Sequence, residues 1–193
     1  MSRGKMILDL CSGTGAWSKP YRDAGYDVHE VDLKFGNLQD VRLIAKMNDE
    51  VDGILAAPPC THLAGSGARW WKEKGESALI RSLSIVDACL RAVVIYEPDW
   101  WCLENPVGRL GKFIGKPKMY FHPYEYAGWA DNPEEEAYTK KTCLWGKFNI
   151  PKQKPIKPIS QKIWRMPPSE NRSMLRSITP SGFARAFFEA NHW

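Results

Sequence analysis

Ile7-Leu8-Asp9-Leu10-Cys11-Ser12-Gly13-Thr14-Gly15-Ala16-Trp17-Ser18 decides how this chain is read. An apolar strand runs into a Gly-x-Gly turn and then a helix start. Glycines at such a turn let backbone amides approach a ligand closely. Position 18 is Ser, so the Gly-x-Gly-x-x-Gly fingerprint of dinucleotide sites is incomplete, and the turn alone implies only a nucleotide-like ligand. The next strand, Asp27-Val28-His29-Glu30-Val31-Asp32, ends in a carboxylate 17 residues after Gly15. That is near the spacing at which a second-strand carboxylate grips ribose hydroxyls. A solvated strand-end carboxylate would look the same, and Glu30 takes the role if the strand register is shifted by two. Asp40-Val41 then falls in the following strand-to-helix loop, where it would touch an adenine edge.

A second apolar run, Val51–Ala57, leads into Pro58-Pro59-Cys60 and the small, flexible stretch Ala64-Gly65-Ser66-Gly67. This reads as a buried strand, a stiff turn presenting a thiol, and a mobile loop. Taken alone, the cysteine could equally be a small core hydrophobe beside a proline turn. A third strand, Trp100-Trp101-Cys102-Leu103, ends in Glu104-Asn105-Pro106. Between them Ser77–Tyr96 reads as a helix, because Leu79, Leu83, Val86, Leu90 and Val93 recur at spacings of 4, 3, 4 and 3. Strand, helix, strand makes a βαβ unit with parallel strands. Cys60 and Glu104 then share one sheet edge with Gly13 and Asp32. The alternation predicts an α/β sandwich with a mostly parallel sheet and helices on both faces.

Asp9–Gly15, Pro58-Pro59-Cys60 and Glu104-Asn105-Pro106 together resemble, in order and relative position, the cofactor, Pro-Cys and Glu-Asn-Val loops of DNA cytosine carbon-5 methyltransferases. The resemblance covers roughly residues 5–146. It implies a class I S-adenosylmethionine-dependent methyltransferase fold, a Rossmann-like three-layer sandwich. S-adenosylmethionine is the implied cofactor, with Asp9, Cys11, Gly13, Gly15, Asp32, Asp40 and Pro58 around it, and no metal. Cys60 is implied as nucleophile and Glu104 as the acid engaging the cytosine, with Pro59 and Asn105 beside the base. The family's Gln-x-Arg-x-Arg strand has no clean counterpart here. Thr139-Lys140-Lys141-Thr142 sits in that region, and Lys140 or Lys141 would supply the cation near the cytosine carbonyl. Two further departures are Thr61-His62-Leu63-Ala64 after the cysteine and Pro106 in place of Val. His62 would be either a proton shuttle or a loop residue with no role. The thiol is expected to have a lowered pKa beside the cofactor's sulfonium and neighbouring amides.

Only 47 residues follow Gly146, too few for a sizeable separate target-recognition domain. In this the chain is similar to small stand-alone methylases of bacteriophage type. Low specificity, a protein partner supplying recognition, or the basic C-terminal segment would account for it. A single methyltransferase domain over 1–193 is expected, with 147–178 an irregular basic segment and 179–193 a C-terminal helix. The net charge is +5. Lys152, Lys154, Lys157, Lys162, Arg165, Arg172 and Arg176 stand against the single acid Glu170. Such an arm suits phosphates, so DNA, double- or single-stranded, is the expected partner. An ordinary solvated linker would have the same composition. Arg69-Trp70-Trp71-Lys72 pairs cations with stacking surfaces that could hold a displaced strand or could cap the core. In the tail, Phe183, Ala184, Phe187 and Phe188 give i, i+4 pairs on a helix capped by Thr179 and Pro180. There is no 18-residue apolar run and no signal-peptide pattern, and five scattered cysteines include no Cys-x-x-Cys pair. A cytoplasmic protein without membrane contact is expected, in the bacterial host cytoplasm if phage-encoded. Methylation of a free pyrimidine nucleotide or RNA, and a non-catalytic nucleic-acid module on the same fold, are the alternative functions.

Overall fold

The computed structural model describes residues 4–158 and 172–192. One sheet contains β1 (Met6–Leu10), β2 (Asp27–Val31), β3 (Gly53–Ala56), β4 (Trp100–Pro106), β5 (Met119–Phe121) and β6 (Thr142–Lys147). Their order across the sheet is β2-β1-β3-β4-β6-β5. The first four are parallel neighbours, and β6 runs antiparallel between β4 and β5. Parallel neighbours need crossovers. The short helix α1 (Lys19–Asp23) lies between β1 and β2, and the long helix α2 (Trp71–Tyr96) between β3 and β4. The rest is a mixed α/β arrangement with the short helices α3 (Gly111–Ile114), α4 (Pro133–Glu136) and α5 (Arg172–Ser177), closed by α6 (Ser181–Asn191).

Strand alternation separates two cores. Leu8, Leu10, Ile54, Ala56 and Leu103 face α2, while Ile7, Leu55, Trp100 and Cys102 face α1 and α6. Helices therefore cover both faces, and the inner parallel strands β1, β3 and β4 are largely buried, which explains their apolar runs, while the edge strand β2 exposes Asp27 and His29. The stripe of α2 that is fully buried is Ala78, Ser82, Val86, Cys89 and Ala92. The leucines that signalled the helix, Leu79, Leu83 and Leu90, flank it half-buried. Small side chains occupy the line of closest approach and larger ones fill its sides. The α6 face is aromatic: Phe183 stacks on Phe121 at 3.9 Å, and Phe187 meets Trp17 edge-on at 5.5 Å. Trp17 directly follows the glycine turn, so the last helix packs beside that loop, as expected.

Several expectations are corrected. The helix predicted from Ser77 begins at Trp71 and is interrupted at Gly75, whose φ of 70° and ψ of −178° are not helical. The stretch expected to be a mobile loop is a 3-10 turn, Gly65–Trp70. It is held by the Gly65 N–H donating to Val107 O at 2.8 Å. Thr179 does not cap α6; the N–H groups of Ser181 and Gly182 donate to the Glu136 carboxylate at 2.6 and 2.8 Å. A cap from 45 residues away leaves no local pattern to read. Residues 148–158 of the segment expected to be irregular carry no regular element and lie along residues 124–128, with Lys154 N–H donating to Glu125 O and Gly128 N–H to Lys154 O, and α5 follows at Arg172. Lys162, Arg165 and Glu170 lie outside the described residues.

Candidate active site

The turn after β1 is built around strained and constrained backbone. Cys11 has φ of 57°, rare for a residue with a Cβ, and its N–H donates to Val31 O at 2.7 Å. Gly15, at φ 68°, sits in the left-handed region that side chains rarely adopt, and a Cβ there would push on the tips of Glu30 and Arg22, at 2.5 and 2.8 Å. Below the turn, Asp9 is 1% exposed and accepts the Ser18 hydroxyl at 2.5 Å. Burial pushes Asp9 up to about 7, against the hydrogen bond from Ser18. Arg22 donates to Gly15 O at 2.7 Å and pairs with Glu30 at 3.3 Å. Asp9 thus supports the loop from beneath, and Glu30 is engaged in ion pairs with Arg22 and Lys34.

Asp32 stands just past β2, where its carboxylate accepts the N–H of Gly13 and of Lys34, each at 2.9 Å. One bond on each oxygen leaves the other lone pairs usable. Above Gly13 an added Cβ would meet nothing within 4 Å. Ser12 Oγ is buried with no partner among the described residues. Open backbone, an orphan hydroxyl and a half-buried carboxylate together fit an adenosine-bearing cofactor. Asp40 differs: its carboxylate is taken by the backbone N–H and guanidinium of Arg42, and this pairing holds it below the usual carboxylate range. The Cys11 side chain turns toward the α2 core beside Cys89.

The parallel register of β3 and β4 aligns Ala56 with Leu103. Cys60 and Glu104 therefore leave the sheet at one edge, as the βαβ reading required. Asn105 locks the two loops: it is fully buried, and its Nδ2 donates to Pro58 O at 2.8 Å. Gly108 lets the second loop press on the first, because a Cβ there would stand 1.9 Å from Leu63 O. Pro59 is exposed beside the thiol. Glu104 and Lys140 line one small pocket with Thr142, and Ser177, Thr179 and Pro180 form another part of its wall. It measures about 10 Å³, space for about one water molecule. A pyrimidine enters only if that wall shifts.

The two lysines separate. Lys140 lines this pocket and its charge bears on both Glu104 and Cys60. Lys141 Nζ sits 4.7 Å over the Tyr120 ring. Burial raises the Glu104 carboxyl above its ordinary value, with Lys140 opposing. Burial also pushes the Cys60 thiol up, and Glu104 adds to this against Lys140, the backbone and Arg176. The expected lowering is thus corrected for the protein alone, because removing the thiol from water outweighs the nearby cations. The sequence reading did not single out Arg109, which donates from Nε to His62 O at 2.8 Å and from its backbone to Leu63 O at 2.9 Å. An arginine five residues after Glu104 carries no recognisable signal. Nor did it identify Ser177 and Thr179 as pocket residues.

Among the described residues no helix is long and apolar enough to cross a membrane, and no cluster of side chains could hold a metal ion. The chain matches no protein-family model. No curated protein matches it. Among solved structures, a candidate DNA modification methyltransferase encoded within an E. coli prophage is similar with a TM-score of 0.47 and 18% identity. The likeness covers 86% of this chain and 56% of that one, so this chain spans little more than half its length.

Proposed function

We propose that this protein is an S-adenosylmethionine-dependent methyltransferase of class I, Rossmann-like architecture, acting on carbon 5 of cytosine in DNA. The reading is supported by Glu104 and Lys140 lining one pocket while Cys60 follows β3 at the same carboxyl edge, near enough for both charges to act on its thiol, next to the glycine turn after β1. Edges of this kind are where open α/β sheets bind ligands. Asp32, Gly13 and the Ser12 hydroxyl would hold the cofactor, which supplies an electrophilic methyl group. Asp9 and Gly15 act through the shape of the turn.

Carbon 5 of cytosine is too weak a nucleophile to accept a methyl group unaided. The Cys60 thiolate adds to carbon 6, forming the S–C bond and moving the ring π electrons toward carbon 5 and nitrogen 3. Glu104, whose protonated form its burial favours, donates to nitrogen 3 and offsets the charge that develops there. Lys140 faces the same pocket as a point charge suited to the carbonyl oxygen. Once carbon 5 carries the methyl group, a base takes its proton. The C–H electrons restore the double bond, and the S–C electrons return to Cys60. None of this can happen within a stacked duplex, so the cytosine is extruded or already single-stranded. A protein partner would supply target recognition, and the protein would work in the cytoplasm.

The test is incubation with labelled S-adenosylmethionine and duplex DNA, single-stranded DNA, RNA or dCMP in parallel. Transfer to DNA is expected. DNA bearing 5-fluorocytosine has no proton to lose at carbon 5, so the enzyme should remain covalently attached through denaturation. Cys60→Ser should abolish that adduct and leave cofactor binding intact. Full methylation by Cys60→Ser overturns the mechanism, and transfer to dCMP or RNA alone reassigns the substrate.

A further inference from the structure

The segment after Cys60 has features that the cytosine chemistry leaves unused. Trp70 is 46% exposed, and the Arg69 guanidinium stands 5.1 Å from its ring centre. Next to it, the Trp71 ring lies 4.5 Å from the guanidinium of Arg109, the residue whose Nε holds the His62 carbonyl. Three polar atoms in this neighbourhood are buried without a hydrogen-bond partner among the described residues: Trp71 Nε1, Arg109 Nη2 and His62 Nδ1. The first two can only donate. A buried donor left unpaired is destabilising, so donors concentrated here suit an acceptor-rich, anionic guest. The local field agrees: after burial, the positive charges of Lys74, Arg81 and Arg109 hold the His62 imidazole below its ordinary range. The backbone at Gly75 is not helical, which sets the arm from Gly65 to Lys74 off from the rest of the helix.

The geometry points to a grip for single-stranded nucleic acid on this arm, in which Arg109 and the Trp71 indole N–H take a backbone phosphate and Trp70 stacks an adjoining base. This rests on the nucleic-acid reading above and extends it beyond the target cytosine. Every base has a π face, so stacking on Trp70 adds affinity without sequence preference. A phosphate oxygen accepts from the orphan donors and is attracted by the same cations. Such a grip would give the protein a hold on the strand next to its nucleophile.

The probe is a fluorescently labelled oligodeoxythymidine, which contains no cytosine, titrated against the full chain by anisotropy. Binding that weakens with salt is expected. Trp70→Ala should lower its affinity about 5- to 150-fold, with S-adenosylmethionine binding by calorimetry unchanged. Trp71→Phe removes the unpaired donor and keeps a ring; it should weaken the oligonucleotide about tenfold while circular dichroism shows the native fold. Unchanged oligonucleotide affinity in both variants overturns the grip, as does no binding to the wild type. Oligodeoxythymidine binding without methylation of any cytosine substrate would leave the grip standing and remove the methyltransferase reading. Methylation without such binding would do the reverse.

Discussion

The two loops that share the sheet edge are built on opposite principles. The carboxylates of the glycine turn after β1 are all engaged, Asp9 by Ser18, Asp32 by two backbone amides and Glu30 by two cations, and the Ser12 hydroxyl is left without a partner among the described residues. The Pro-Cys side concentrates groups under tension. Burial raises both Cys60 and Glu104, and orphan polar atoms include Asn105 Oδ1 and His62 Nδ1. A holding site needs a fixed shape, which local hydrogen bonds give. A reacting site needs groups whose preferred protonation state changes when a partner arrives.

The largest effect that would break this contrast is Glu104→Gln. If Glu104 is the positioned acid, single-turnover methylation should fall about 10²–10⁴-fold with cofactor affinity preserved. A loss of cofactor affinity with an unchanged single-turnover rate would mean that the Pro-Cys side also serves to hold.

Asp9 tests the other loop through stability. Its folded pKa of about 7 lies above the model-peptide value of 3.8. The neutral acid is therefore the form the fold prefers. Its stabilisation is complete below about pH 4 and is lost as pH rises through 7, a span worth about 4 kcal/mol. Asp9→Asn cannot ionise, yet its amide oxygen can still accept from Ser18. Urea unfolding at pH 5 and pH 8 should show a smaller fall for the variant than for the wild type. Equal slopes would mean that Asp9 is not buried beneath the turn.

These properties were unequally legible in the sequence. The strands, the long helix and the shared edge followed from apolar runs and spacing, because those patterns are local. The antiparallel β6 did not, since pairing Pro106 with Thr142 depends on tertiary register. The residues Cys60, Glu104 and Asp32 could be named by type and place. The raised thiol could not, because it depends on how deeply the loop is packed. The choice between Lys140 and Lys141 needed the edge geometry, as adjacent residues point to opposite sides of an extended chain.

Asp32→Ala should have a smaller effect. If Asp32 is the ribose carboxylate, the change removes that acceptor and frees the Gly13 amide, costing about 1.5–3 kcal/mol in S-adenosylmethionine affinity. Calorimetry reads this as a loss of about 10- to 150-fold. If Glu30 were the ribose carboxylate, Asp32→Ala would have little effect and Glu30→Ala would produce the loss.

The smallest effect resolves the reacting loop most finely. At present Cys60 sits above its ordinary value, so iodoacetamide should label it slowly at neutral pH and faster as pH rises. When Glu104 is charged, it opposes thiolate formation at Cys60. Glu104→Gln removes that opposition, so the labelling profile should move to lower pH. Lys140 acts in the other direction, because its charge favours the thiolate. Lys140→Met should move the profile to higher pH. Lys141→Met should leave it in place, since that ammonium lies over Tyr120 and is not among the charges acting on the thiol. Mass spectrometry of the Cys60 peptide follows each profile, with the buried Cys89 and Cys102 as unreactive references. Equal shifts from both lysines would show that neither is specific to the pocket, and Lys140 would lose its assigned place opposite Glu104.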